Sequence, residues 1–148
     1  MEVIATNRNA KYEFAFLEQF TAGIQLRGTE IKSIRIKDVS IAEGYCVFKN
    51  NELFVLNTHI AIYEQATYNN HEPRRERKLL LSKQELKKLS GKLKDKGLTI
   101  IPTRLFISDN GYAKLNIALA KGKKIHDKRN TIKDRDVKRE IDRGLRDH

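Results

Sequence analysis

Histidines, carboxylates, a lone thiol and crowded cations are the groups in this 148-residue chain that could do chemistry. His59 and His71 have Glu64 and Glu72 nearby, and His126 precedes Asp127. A zinc site needs ligands at short, paired spacings, which these residues lack, and Cys46 has no second thiol to join it. No metal and no cofactor are therefore expected. There is no GxSxG elbow, no Walker-type phosphate loop and no GxGxxG. Scattered histidines and carboxylates can always be combined on paper into an acid–base pair, so a nuclease stands as a third reading, behind two that rest on the cations.

The net charge is +11, and its placement is more informative than its size. Residues 1–73 carry 7 Lys/Arg against 9 Asp/Glu, residues 74–96 carry 10 against 3, residues 97–120 carry 2 against 1, and residues 121–148 carry 11 against 6. Two basic zones on a nearly neutral body point to a partner of dense negative charge. RNA or DNA leads; a solubilising surface and an acidic membrane face are the alternatives. Binding to nucleic acid should weaken with salt, because each neutralised phosphate releases counterions.

The first basic zone opens in "NNHEPRRERKLLL", where Arg74, Arg75, Arg77 and Lys78 place four cations in five positions. Read as a loop, it cannot hide them, so they either float in solvent or meet phosphates, for which the arginine fork is suited. Tyr63, Tyr68 and His71 offer rings for an unstacked base, or simply cover the sheet. Glu30 in "GTEIK" could take backbone N–H bonds, pair with Lys32 or Arg35, or accept from a base or ribose hydroxyl. In "AKGKKIHDKR", Lys121, Lys123 and Lys124 crowd around Gly122, which frees the chain from the last strand. There His126 can stack on a base, and Asp127 can align Lys128 or Arg129.

These groups must be positioned by a body that reads mainly as strand. "YEFAFL" (residues 12–17), "GIQL" (23–26) and "GYCVFKNNELFVLNTHI" are β-favouring, the last a hairpin turning at Asn50-Asn51. "LTIIPTRLFISDNGYAKLNIALA" reads as a second hairpin turning at "SDNG", with Pro102 at an edge or bulge because it has no N–H to give. In "TEIKSIR", Ile31 and Ile34 fit a short helix or turn as well as a strand. One helix is well specified: Ser82 and Glu85 form a capping box, and Leu81 and Leu86 a staple. Leu86, Leu89 and Leu93 form its apolar stripe, Gly97 takes the left-handed stop with Leu98 folding back on Leu93, and Lys87, Lys88, Lys92, Lys94 and Lys96 lie outward. The expectation is a small β-barrel or compact α+β domain, closure being the way to remove open edges.

No run approaches the roughly 20 apolar residues that span a bilayer. "MEVIATNRNAKY" lacks a secretory pattern, and Cys46 in "YCVF" fits a small buried hydrophobe in a reducing, cytoplasmic setting. From Lys121 to Asn130 the only aliphatic residue is Ile125, too little to fold alone. Beyond it, Val137, Ile141 and Leu145 form a narrow stripe at i+4 spacing. Ion pairs at i,i+4 add about 0.3 kcal/mol each and Gly144 subtracts about 1 kcal/mol, leaving an isolated helix marginal. The tail is expected to be disordered when free and to order on a polyanion.

"GTEIKSIR", "NTHIAIYE", "YNNHEPRRERKLLL", "GKLKDKGLTIIP", "ALAKGKK" and "HDKR", in this order and spacing, closely resemble the SmpB family of SsrA-binding proteins, from Asn7 onward. The resemblance implies an OB-like closed antiparallel β-barrel with packed helices over residues 1–120 and a basic tail over 121–148. It also implies a non-catalytic adaptor in trans-translation. The body would grip the tRNA-like domain of transfer-messenger RNA near its D-loop and elbow. The tail would enter the empty decoding centre and mRNA path of the stalled 70S ribosome, against 16S rRNA, and become helical there through Val137, Ile141 and Leu145. Residue by residue, the RNA contacts fall on Asn7 with its neighbours Arg8 and Lys11, on Thr21 and Glu30, on Arg75, Arg77, Lys78 and Leu80, and on Lys114 and Lys121. Leu80 would shape the surface rather than touch a base. The decoding-centre contacts fall on Gly122, Lys123, Lys124, His126, Asp127, Lys128 and Arg129. Thr21 stands where many members carry an acid, and Asn9 where a basic residue is common. A monomer without membrane attachment is expected, since a strongly positive chain repels its copies. The alternative is a ribosome-associated protein that holds rRNA for assembly or structure.

Overall fold

A computed structural model describes residues 1–66, 69–95 and 97–123. The elements run in the order β1 (Glu2–Thr6), α1 (Ala10–Glu13), β2 (Phe14–Ile24), α2 (Gly28–Arg35), β3 (Val39–Ser40), β4 (Tyr45–Lys49), β5 (Glu52–Leu56), β6 (His59–Ile60), β7 (Arg77–Leu80), α3 (Lys83–Lys92), β8 (Leu98–Ile107) and β9 (Ala113–Gly122). The main sheet has strand order β1-β8-β4-β5-β7-β2-β9, with β8 also paired to β9; β3 and β6 form a separate pair. All of the pairings are antiparallel.

Local chemistry accounts for the turns. Asn50 and Asn51 both take positive φ (51° and 64°), the conformation a two-residue hairpin requires, and the flanking pair is Lys49 with Glu52. Gly111, at φ 85°, closes the β8–β9 hairpin, its N–H donating to the Ser108 carbonyl at 2.8 Å. The capping box is present: the Glu85 N–H donates to Ser82 Oγ (3.1 Å) and the Ser82 N–H to Glu85 Oε1 (3.2 Å).

Two bulges set which side chains face inward. On β2 the register with β9 shifts between Phe16 and Glu18, so Phe14 and Phe16 pack on a small outer cluster with Ala10, Ile101, Ala118 and Ala120. Beyond the shift the phase reverses, and Phe20, Ala22 and Ile24 join the main core. On β8 the shift lies between Pro102 and Arg104, which accommodates the proline as expected. Leu105 then faces the core, with Leu53, Val55, Leu79, Ile100 and Leu115. Helix α3 closes on this core through Leu86, Leu89 and Leu93, and α2 through Ile34.

Several expectations need correction. "FAFL" of the first run and Gly23-Ile24 of the second belong to one 11-residue strand, while Tyr12 and Glu13 lie in the helical turn before it and Gln25 and Leu26 beyond it. Of the alternatives open for "TEIKSIR", the helix is the one that forms, as α2. Helix α3 stops at Lys92, so left-handed Gly97 (φ 84°) serves the turn into β8 rather than the helix end. Gly122 does not free the chain: β9 continues through it, with Lys121 opposite Ala15 and Leu98, and Gly122 opposite Phe14. The folded body therefore extends past Ala120. No helix among the described residues is long and apolar enough to cross a membrane.

Candidate nucleic-acid interface

Strand alternation sorts the expected contacts onto two faces. On β9, Leu115, Ile117 and Leu119 point into the core, so Lys114 and Asn116 lie on the outer face. Opposite them on β2 stand Gly23 and Thr21. The Thr21 hydroxyl donates to Asn116 Oδ1 at 2.9 Å. On β7, Leu79 is buried, which turns Lys78 and Leu80 outward. Leu80 is half exposed and pairs with Gly23, where an added Cβ would approach the Leu80 Cβ to 3.2 Å; glycine leaves room for that side chain. Lys78 Nζ donates to Glu52 Oε1 at 3.0 Å, an exposed pair worth at most about 1 kcal/mol that a phosphate can displace.

The outer face continues across β8 to β1 through Arg104, which pairs with Asn116 on one side and Thr6 on the other. Next to it, Asn7, Arg8 and Lys11 line a cleft of about 260 Å³ with Thr6, Phe16, Gln19, Thr103 and Arg104. Register thus brings Asn7, Arg8, Lys11, Thr21, Lys78, Leu80 and Lys114 to one side of the sheet. Arg104, Asn116 and Gln19 are residues of this face that sequence reasoning missed.

Glu30 and Arg77 fall elsewhere. Both are fully buried, which corrects the expectation that the "RRERK" segment cannot hide its charges and that Glu30 meets RNA directly. Arg77 occupies the inward phase of β7 and uses all three guanidinium nitrogens. Nε donates to Glu30 Oε2 at 2.5 Å, Nη1 to the Thr58 carbonyl and hydroxyl at 3.2 and 3.1 Å, and Nη2 to the Pro73 carbonyl at 3.0 Å. Glu30 also accepts from the Arg27 N–H at 2.7 Å, capping α2, and from Arg75 Nη2 at 2.6 Å. Its partners are therefore Arg75 and Arg77, not Lys32 or Arg35. Burial alone would raise the Glu30 pKa; the hydrogen bonds from Arg75, the Arg27 N–H and Arg77 outweigh it and hold the carboxyl below its ordinary range. Burial likewise pulls the Arg77 pKa down, against the pull of Glu30.

His71 is buried beside this network, with Nε2 2.8 Å from the Ile60 carbonyl and Nδ1 2.9 Å from Thr29 Oγ1. A carbonyl can only accept, so Nε2 carries the proton that binds it. This ring ties α2 to the following loop and is not a platform for a base. Tyr63 has Lys32 Nζ 5.5 Å above its ring. The lysine arc of α3 is partly neutralised: Lys88 and Lys92 both pair with Glu18, and their hydrogen bonds lower its pKa. Arg75 is partly buried, Arg74 and Lys121 are exposed, and the Lys123 N–H donates to the Glu13 carbonyl at 2.9 Å. Lys124, His126, Asp127, Lys128, Arg129, Val137, Ile141 and Leu145, like Tyr68 and Lys96, lie outside the described residues. No group of three metal-ligating side chains occurs among the described residues.

A β body with a cationic, hydroxyl- and amide-bearing outer face belongs to the class of small proteins built to meet a polyanion. The family model described as SmpB protein matches residues 4–147, and the chain belongs to the SmpB family. It is 58% identical over 137 residues to the SsrA-binding protein of Christiangramia forsetii, covering 93% of this chain and 87% of that protein. It is 56% identical over 137 residues to the SsrA-binding protein of Flavobacterium psychrophilum, with coverage of 93% and 91%. Among solved structures it is similar to a chain from work described as "tmRNA-SmpB: a journey to the center of the bacterial ribosome". That likeness has a TM-score of 0.68 and 45% identity, covering 81% of this chain and 84% of that one.

Proposed function

We propose that this protein is the RNA-binding adaptor of trans-translation, which binds transfer-messenger RNA and delivers it to stalled ribosomes. The observation that carries the reading is the outer face of β7, β2, β9 and β8, where register gathers the cations and polar groups that the family motifs supply. Its ligand there is the tRNA-like domain. Backbone phosphates meet Arg8, Lys11, Lys78 and Lys114, while Thr21 and Leu80 shape the surface between them. Glu30 and Arg77 act as positioning residues, holding α2, the loop before β7 and Arg75 in one arrangement. In this reading the pairing circuit β8-β4-β5-β7-β2-β9 and back to β8 closes as an OB-like barrel, which leaves β1 as the added edge.

The chain after Lys123 is the ribosomal arm, with Lys124, His126, Asp127, Lys128 and Arg129 in the decoding centre and Val137, Ile141 and Leu145 on a helix formed there. The adaptor has no catalytic step of its own and works in the cytoplasm. The deciding experiment is capture of the tagged full-length protein from cells followed by RNA sequencing. Strong enrichment of transfer-messenger RNA together with stalled ribosomes is expected. Stable residence on mature subunits without transfer-messenger RNA would favour an rRNA-holding protein instead.

A further inference from the structure

We propose that Arg104, with Arg8 and Lys11, forms a cradle for a phosphodiester of structured RNA, with Arg104 joining that cradle to the Lys114–Leu80 side of the interface. The proposal rests on the RNA-binding reading above. Arg8 follows β1, Lys11 lies in α1 and Arg104 in β8, yet all three line one cleft that contains no carboxylate. All three are exposed, and among the described residues none has a side-chain hydrogen bond or ion pair. Lys49, Arg75, Arg77, Lys78, Lys88 and Lys92, by contrast, each have an acidic partner. Among the described residues Lys83, Lys87 and Lys94 also lack an acidic partner, but they line the cleft beside α3, whereas Arg8, Lys11 and Arg104 adjoin the face that carries Thr21 and Lys114.

The β8 bulge delivers Arg104 to this face. Unbroken alternation from Ile100, which is buried in the core, would turn residue 104 inward; the extra residue Thr103 reverses the phase, so that Leu105 enters the core and Arg104 emerges. The bulge is clamped from both sides. The Asn7 N–H donates to the Thr103 carbonyl at 2.8 Å and its Nδ2 to the Pro102 carbonyl at 3.1 Å, while Thr103 Oγ1 donates to the Asn116 carbonyl at 3.2 Å. Asn7 thereby positions Arg104. At about 260 Å³ the cleft falls below the roughly 300 Å³ at which pockets for whole small molecules begin. It suits a backbone phosphate passing over it rather than an extruded nucleotide. Arg104 is the diagonal cross-strand neighbour of Lys114, roughly 7 Å away at Cβ, so one RNA strand can touch both.

The test is a salt titration of a labelled tRNA-like-domain transcript against the full chain, followed by fluorescence anisotropy. Arg104→Ala is expected to weaken binding about tenfold at low salt and to flatten the log–log salt slope by about 0.7–0.9, one phosphate's share. Arg104→Lys should keep the slope. Lys87→Ala is the control, on the rim of the separate 510 Å³ cleft beside α3, and should behave as wild type. Thermal midpoints should match wild type throughout, since Arg104 has no intramolecular partner to lose. Arg104→Ala binding with wild-type affinity and slope would overturn the cradle, as would an equal loss in Lys87→Ala. Failure of the wild-type chain to hold the transcript at all would instead refute the functional reading beneath it.

Discussion

Replacing Glu30 by glutamine keeps the shape of a fully buried side chain and removes its charge, which leaves Arg77 as a buried cation without a counter-ion. In the native arrangement Glu30 receives Arg77 Nε at 2.5 Å, Arg75 Nη2 at 2.6 Å and the Arg27 N–H at 2.7 Å. Breaking a buried pair from one side costs about 3–5 kcal/mol, a large share of the about 5–15 kcal/mol that holds a domain together. Arg75 is partly exposed and can turn to water, so the loss falls mainly on Arg77. Urea unfolding followed by circular dichroism should show the midpoint falling, and the thermal midpoint should drop by about 10 °C or more. The double variant Glu30→Gln with Arg77→Met removes the stranded charge and should regain part of the loss, because an unpaired buried charge costs more than the neutral acceptors that Arg77 leaves at Thr58 and Pro73. The carboxyl has a lower pKa folded than unfolded, so its contribution is complete above the unfolded value. It drains away as pH falls below the ordinary carboxylate range, about 4.3, and through the folded pKa. Glu30→Gln should lack that part of the acid slope. A single-variant loss under about 1 kcal/mol, or a double variant no better than the single, would refute this account of how the cation is buried.

Burial pushes the Cys46 thiol well above its ordinary pKa, so the native protein should resist alkylation by iodoacetamide at pH about 8 and react fully once unfolded in urea. Gly44→Ala would bring a Cβ to 2.7 Å from Thr58 Cγ2 and 2.8 Å from Pro102 Cγ; a destabilisation of about 1–3 kcal/mol is expected by urea titration. Truncation after Lys123 should leave melting and transcript binding unchanged while abolishing peptide tagging on stalled ribosomes in a reconstituted translation assay. Cutting after Ala120 should also lower the melting point, because Lys121 and Gly122 pair with β2.

What could be read from the chain depended on how far each signal reached. The α3 capping box, the Asn50-Asn51 turn and the glycine at 111 are local: a few neighbouring residues decide them, and all three stand in the structure. Pro102 is expected at an edge or a bulge because its missing N–H is a local fact too, and it stands at the β8 register shift. The phase changes were not legible. Phe14 to Ala22 reads as a broken pattern because the bulge after Phe16 moves the apolar positions from one face to the other, and only pairing with β9 shows that both halves belong to one strand. "TEIKSIR" resisted assignment for a related reason. Its helix is held by Ile34 in the core and by Glu30 bonds to Arg75 and Arg77, 45 and 47 residues away.

The same distinction governs the interface. Motif and charge singled out Arg74, Arg75, Arg77 and Lys78 together, but charge density says nothing about which side of a strand a residue takes. β7 begins at Arg77, so Arg77 and Leu79 share the inward phase while Lys78 and Leu80 share the outward one. An alternation test begun at residue 77 rather than at the leucines would have shown it. Arg104 escaped notice for the opposite reason: it stands alone in an apolar run, where a lone arginine draws no attention, and reaches the surface only because Thr103 adds a residue and Asn7 pins it. A buried arginine inside a basic motif and an exposed one inside an apolar strand are both decided by strand phase, and strand phase is set by partners distant in sequence. Which cations reach the outer face is therefore set less by where the motifs lie than by strand phase, through the β8 bulge and the start of β7.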